Sequence, residues 1–172
     1  GLITESDCGP VRRKVLATGV PSRAVTIPAS ELQAYLNSLP RLLTEHHDIT
    51  LSGTNSDIVY VKDFHGYGSL SFHANNLGDC VFTKDIKITN CSIPVCMQKI
   101  KWELDETASP YRYCILCERS AVYAEECSLN GHAKAGRGAE AAFNSSAVLV
   151  NCAFHDLESA VRTYFGGCVE VY

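Results

Sequence analysis

Val122-Tyr123-Ala124-Glu125-Glu126-Cys127-Ser128-Leu129 holds the pattern that decides how this chain folds. Val122 and Ala124 are small apolar residues two apart, and Cys127 and Leu129 repeat that spacing after one extra residue. Period-two alternation puts alternate side chains on one face of a strand, and the extra residue reverses the phase, as a bend between two strands requires. Each copy therefore reads strand, bend, strand. Ile86-x-Ile88-x-x-Cys91-x-Ile93 and Ala147-x-Leu149-x-x-Cys152-x-Phe154 repeat it. Val59-x-Val61-x-x-Phe64-x-Gly66 and Val95-x-Met97-x-x-Ile100-x-Trp102 fit without a cysteine at the anchor, and Leu70-x-Phe72-x-x-Asn75-x-Leu77 fits poorly.

The anchors Phe64 and Cys91 are 27 residues apart, Cys91 and Cys127 36, and Cys127 and Cys152 25; the 36 divides at Ile100 into 9 and 27. Intervals in the twenties suit one coil of a three-sided solenoid, and shorter ones suit successive sides of one coil. Such coils bury their inward residues only by stacking, so they come as arrays. The expected fold is all-β, a right-handed parallel β-helix of about five coils, with Phe64, Cys91, Ile100, Cys127 and Cys152 in its core. The residues before the anchors, Asp63, Asn90, Lys99, Glu126 and Asn151, read as turn residues that tolerate left-handed backbone. One side chain per coil, acid alternating with amide, offers no acid and base pair.

Ahead of the repeat, Leu32, Tyr35, Leu36 and Leu39 share one helical face between Pro28 and Pro40, which predicts an amphipathic helix of roughly three turns. A β-helix has an open apolar end with unpaired strand edges, and such a helix is suited to close it. The expected organisation is an N-terminal arm over 1–25, a capping helix and connector over 26–47, and the β-helix over 48–172. Val169-Glu170-Val171-Tyr172 reads as a strand at the chain end, consistent with a piece of a longer protein. Arg12-Arg13-Lys14 in the arm reads as a solvated turn or partner contact.

Composition narrows the function classes. Fifteen basic residues stand against 19 acidic ones, a net charge of −4, so no field draws the whole chain to nucleic acid or an anionic membrane. No apolar run approaches the roughly 18 residues of a membrane span, and the N-terminal stretch has no basic region followed by an apolar core. The nine cysteines are odd in number and sit in a chain large enough to build a core, which argues for reduced thiols. Cys114-x-x-Cys117 has metal-ligand or redox spacing but lacks a second such pair and a βαβ setting, so it reads as core. No metal or other cofactor is expected.

The stretch Ile27-Pro28-Ala29-Ser30-Glu31-Leu32-Gln33, continued by Leu39-Pro40-Arg41-Leu42-Leu43-Thr44 and Ile49-Thr50-Leu51-Ser52-Gly53-Thr54, together with coils such as Val150-Asn151-Cys152-Ala153-Phe154, resembles small β-helix proteins encoded near tail genes in prophages of gut Firmicutes. The coil pattern itself belongs to the whole pectin-lyase-like superfamily. The resemblance covers residues 25–172 and implies a tail-associated or surface-recognition protein, a homotrimer like the phage tailspikes. Its implied place is the virion tail, after synthesis in the bacterial cytoplasm. No functional residue is carried over by it.

Among the residues themselves, Tyr60, Tyr67, Tyr111 and Tyr123 are the candidate binding residues, with Tyr113 and Tyr164 also spread over the coils. Tyrosine offers rigid area with a hydrogen-bonding tip, suited to sugars or to a neighbouring protomer. Asp79 and Asp105, with Asp85, are weak candidates for catalysis, because they share no template column and no calcium-binding turn surrounds them. His46, His47, His65, His73, His132 and His155 have no nucleophile beside them in sequence. The inserts Asp105–Pro110 and Gly131–Gly138 are loops able to carry function. The expected function is a non-enzymatic tail or surface protein presenting a rigid face to a bacterial surface glycan or to other tail proteins. The alternative is a polysaccharide lyase or hydrolase on the same coils. Fold cannot choose between them.

Overall fold

A computed structural model describes residues 19–109 and 111–172 as a parallel β-solenoid of about six turns. The described part of the chain opens with β1 (Ser22–Pro28), a 3-10 turn over Ala29–Glu31, the helix α1 (Leu32–Ser38) and β2 (Leu42–Leu43). The next two coils contain β3 (His46–Asn55), β4 (Val59–Lys62) and β5 (His65–Gly66), then β6 (Ser69–His73), β7 (Cys80–Phe82) and β8 (Ile86–Thr89). After them come β9 (Val95–Gln98), β10 (Lys101–Glu103), β11 (Tyr113–Glu118), β12 (Ala121–Glu125), β13 (Ser128–Asn130) and β14 (Arg137–Ala142). The last strands are β15 (Ser146–Val150), β16 (Ala153–His155), β17 (Ser159–Tyr164) and β18 (Cys168–Val171).

Three parallel sheets form the faces. Face one stacks β1, β3, β6, β9, β12, β15 and β18; face two stacks the end of β3 on β7, β10, β13 and β16; face three stacks β4, β8, β11, β14 and β17. Inward residues lie in columns, as Val59, Ile86, Ile115, Ala139 and Val161 do on face three. The axial core includes Phe64, Phe72, Phe82, Trp102, Cys91, Ile100 and Cys127, with Phe82 and Trp102 stacked at 5.9 Å. Cys152, in a later coil, is half-buried against the same core. The fold is the right-handed β-helix with an N-terminal capping helix that the repeat implies.

The sequence template marks two corners. In Val95, Val122 and Ala147 copies it joins face one to face two, and in Val59 and Ile86 copies it leaves face three. At every one of these bends the polar residue has left-handed backbone: Asp63 φ 61°, Asn90 52°, Lys99 55°, Glu126 52° and Asn151 51°. The poor copy fails where expected, since Leu70 and Phe72 are buried on β6 but Asn75 and Leu77 fall in an exposed loop.

Two boundaries differ from the sequence reading. β1 begins at Ser22, inside the stretch expected as an arm, and pairs with β3 from Ser22↔His46 to Pro28↔Ser52. It supplies the additional coil; with only Val25 and Ile27 packed inward and no bend template, it has little sequence signal. The helix is shorter than three turns because Pro28 stays extended at φ −58°, ψ 143° as the last residue of β1. Cys8 and Arg12-Arg13-Lys14 lie outside the described residues.

The first coil is itself the cap. The 3-10 turn packs on β3 and β7, α1 lies against β4, and β2 pairs with β5. Leu32 and Leu36 plug the core. The Tyr60 backbone N–H donates to Gln33 Oε1 at 2.7 Å while Gln33 Nε2 donates to the Tyr60 carbonyl at 3.2 Å, so a side-chain amide takes the place of a missing strand.

The corner reading has a direct check. Left-handed backbone costs a β-branched residue about 1–2 kcal/mol more than glycine. Glu126→Gly is therefore expected to keep wild-type stability in urea melts, with Glu126→Ile less stable by about that difference. Equal midpoints for the two variants would show that the corner does not constrain its residue.

Candidate functional site

Outward residues of face three form two rows across the strands: Tyr60, Lys87, Leu116, Glu140 and Arg162, and beside it Lys62, Thr89, Glu118, Ala142 and Tyr164. A groove of about 710 Å³ opens over the first three strands, and Tyr60, Lys62, Lys87, Glu118 and Arg119 supply its larger side chains. Tyr60 is 50% exposed, with Lys87 Nζ 5.9 Å from its ring centre. One edge is the corner column, where Asn90 Nδ2 donates to Asp63 Oδ1 at 2.7 Å. Lys62, Glu118 and Arg119 line the groove without making an ion pair among the described residues.

Both inserts leave the coil at the corner between faces two and three, 104–112 after β10 and 131–136 after β13. Beside the first of them lies a charged cluster. Asp85 is fully buried, 3.5 Å from Arg112 Nη1 and 3.9 Å from Lys87 Nζ, and its Oδ2 accepts no hydrogen bond among the described residues. Burial raises its carboxyl above the ordinary aspartate range despite the two cations. Further along, Arg137 Nη1 donates to Glu140 Oε2 and to the Tyr113 hydroxyl, each at 3.2 Å, and Arg162 Nε lies 3.9 Å from Glu140. Glu140 is thus held between two arginines, while Asp85 is buried beside Arg112 and Lys87.

The residues expected to act are dispersed. Asp79 accepts from the Asn76 backbone N–H at 3.0 Å, and Asp105 accepts from the Thr107 N–H at 2.9 Å and from its hydroxyl. Both close local turns, and the Thr107 hydrogen bonds hold the Asp105 carboxyl below its usual range although its partial burial opposes them. Of the four tyrosines, Tyr60 alone lines the groove. Tyr67 is exposed after β5, and Tyr111 is exposed on the insert with the Arg137 guanidinium 6.0 Å from its ring. Tyr123, expected as an exposed binding residue, is only 2% exposed: its ring packs with Cys96 and Val148, its register neighbours on β9 and β15.

Histidine pairs appear that sequence proximity could not reveal. His46 Nδ1 is 2.9 Å from Ser69 Oγ, His65 Nδ1 2.8 Å from Ser92 Oγ, and His73 Nε2 2.9 Å from Asp48. Each bridges neighbouring coils, and their recurrence from coil to coil marks them as rungs. The eight cysteines among the described residues form no disulfide with one another. Burial pushes Cys80 and Cys117 up to about 12, which makes both unreactive. No cluster of three potential metal ligands occurs among the described residues. Nor is any helix there long and apolar enough to cross a membrane.

Lys62, Lys87, Thr89, Glu118 and Arg119 had no motif to announce them. Stacking the Val59 and Ile86 copies at 27 residues aligns Tyr60 with Lys87 and Lys62 with Thr89, but the next strand is offset by 29, which hides Leu116 and Glu118 from a fixed period.

No family model, curated protein or solved structure matches the chain. The phage-tail resemblance finds no support there, and the β-helix stands on the structure alone.

Asp85 provides a test of the cluster. A carboxyl whose folded pKa is raised contributes its full stability below the unfolded aspartate range near pH 4 and loses it as pH rises through the folded pKa. Asp85→Asn is accordingly expected to melt at or above the wild-type temperature at pH 7, and to lose less stability than wild type between about pH 4 and 7. A markedly lower melting temperature at pH 7 would mean that the Arg112 and Lys87 pairs outweigh desolvation.

Proposed function

We propose that this protein is a non-catalytic recognition module that holds a linear glycan on the outer surface of face three, as a tail-associated or surface-recognition component assembled as a homotrimer. The observation that carries the glycan reading is the groove beside Tyr60. A half-exposed aromatic ring can stack on the apolar face of a sugar, while Lys62, Lys87, Thr89, Asn90 and Glu118 offer donors and acceptors to its hydroxyls and acidic substituents. The strands beneath fix these side chains before binding, which lowers the ordering cost of a shallow site. The tail role and the trimer are supported only by the motif resemblance. Nothing favours the lyase or hydrolase alternative, since Asp79 and Asp105 are engaged in turns and Asp85 is buried.

Binding to an array of bacterial capsular and cell-wall polysaccharides is expected, with Tyr60→Ala weakening it by about tenfold or more, or roughly 1.4 kcal/mol. Unsaturated products or new reducing ends would overturn the non-catalytic part of the proposal, and absence of binding to any glycan would overturn the rest. Separately, light scattering on the purified chain should give the mass of three copies; a monomer at micromolar concentration would remove the trimer.

A further inference from the structure

The corner column beside the groove continues down the solenoid as Asp63, Asn90, Arg119, Phe143 and Phe165, one residue per coil in register. All five have left-handed backbone, with φ 61°, 52°, 47°, 55° and 44°. Asparagine and aspartate accept this readily, but a bulky residue does so at a cost of roughly 1–2 kcal/mol. Here two successive coils place phenylalanine in it. The rings lie nearly parallel, 11° apart at 5.1 Å, with the Arg119 guanidinium 5.1 Å from Phe143. Phe165 is 73% exposed, and Tyr164 packs at 6.2 Å from it. Bulky side chains held on strained backbone in two successive coils are a sign of a functional surface.

A second groove, of about 420 Å³, runs past this corner, lined by Arg119, Ser120, Asn144, Ser145, Ser146 and Gly166. Arg119 stands in the walls of both grooves. Ser120 and Ser145 are engaged with the Glu118 and Ala142 carbonyls. The Asn144 side-chain amide and the Ser146 hydroxyl have no hydrogen-bond partner among the described residues, while the Asn144 backbone N–H donates to the Phe165 carbonyl at 3.2 Å. A Cβ at Gly166 would lie 2.5 Å from Asn144 Oδ1, so the glycine leaves room for that side chain.

We infer that the two grooves are subsites of one track, so that the ligand is a linear polysaccharide running along the solenoid axis from Tyr60 past Arg119 to Asn144 and the Phe143–Phe165 edge. The inference rests on the glycan reading above and adds to it the length and direction of the ligand. From β4 to β17 the track crosses four strand spacings, about 19 Å, more than one or two sugar rings can cover. A polymer that fills both subsites gains over fragments that fill one, because the second contact is made at high effective concentration.

The experiment is calorimetric titration with size-graded fragments and intact polymers of alginate, hyaluronan and xylan. Affinity should rise with chain length by about tenfold or more before levelling off. Phe165→Ala and Asn144→Gly leave the backbone conformation accessible, so both variants should fold. They are expected to abolish the gain with length and to leave the affinity for the shortest binding fragment unchanged; Tyr60→Ala should weaken both. Length-independent binding, or Phe165→Ala and Asn144→Gly variants that keep the full gain, would overturn the continuous track and leave the face-three groove standing. If no fragment or polymer binds, the glycan reading falls and the track with it.

Discussion

Each inward side chain of this protein is buried by a neighbour one coil away, so in-register parallel pairing between coils is the constraint on which everything else depends. The number of residues per coil can vary, as the offsets of 27 between β4 and β8 and 29 between β8 and β11 show, provided the surplus leaves the stack. It leaves mainly at one corner, between faces two and three. The turn at the end of face three works the opposite way. There the chain leaves the strand in each coil through one residue with left-handed backbone, and the column from Asp63 to Phe165 results.

A stack of this kind has to end, and its first coil ends it. Without a preceding strand, the outer edge of β4 would present backbone groups to other chains. Helix α1 covers the apolar cross-section with Leu32 and Leu36 but cannot pair with a strand edge. Gln33 resolves the conflict, because a carboxamide has the same donor and acceptor as a peptide and meets both groups of Tyr60. Asn55 does similar work on face two, donating from Nδ2 to the Ala29 carbonyl at 2.8 Å in a buried setting. In the last coil, where no described coil stacks beyond it, Phe154, Leu157, Val161 and Val169 are only half-buried.

How much of this could be read from the sequence follows from the range of each interaction. The strand-bend-strand template is local, so Val122, Ala124, Cys127 and Leu129 were legible as one copy, and the polar bend residues were legible with them. The helix was legible from Leu32, Tyr35, Leu36 and Leu39, but not its length, because the extended Pro28 is set by the pairing of β1 with β3. The site was largely hidden. Tyr60 stood out by residue type; Arg119, Phe143 and Phe165 lack a common type and come together only through register. Tyr123 misled for the same reason: an outward template position does not reveal that Cys96 and Val148 flank it.

Unpaired surface charge is ordinary, and exposed ion pairs add little, so Lys62, Glu118 and Arg119 are informative only by where they stand. Elsewhere on the surface some charges meet at close range, Arg23 with Glu45, Lys99 with Glu126 and Lys101 with Glu103. On face three the paired set, Asp85 with Arg112 and Arg137 with Glu140, lies near the corner that carries the inserts, and the unpaired set lies in the open half beside Tyr60. One sheet thus holds its charges in two states. Those near the inserts satisfy one another and fix the backbone, whereas those in the groove stay hydrated at fixed spacing, where a ligand of matching polarity can replace water at little cost in ordering. On that division the proposed recognition falls to the groove, with the inserts on the paired side of the sheet.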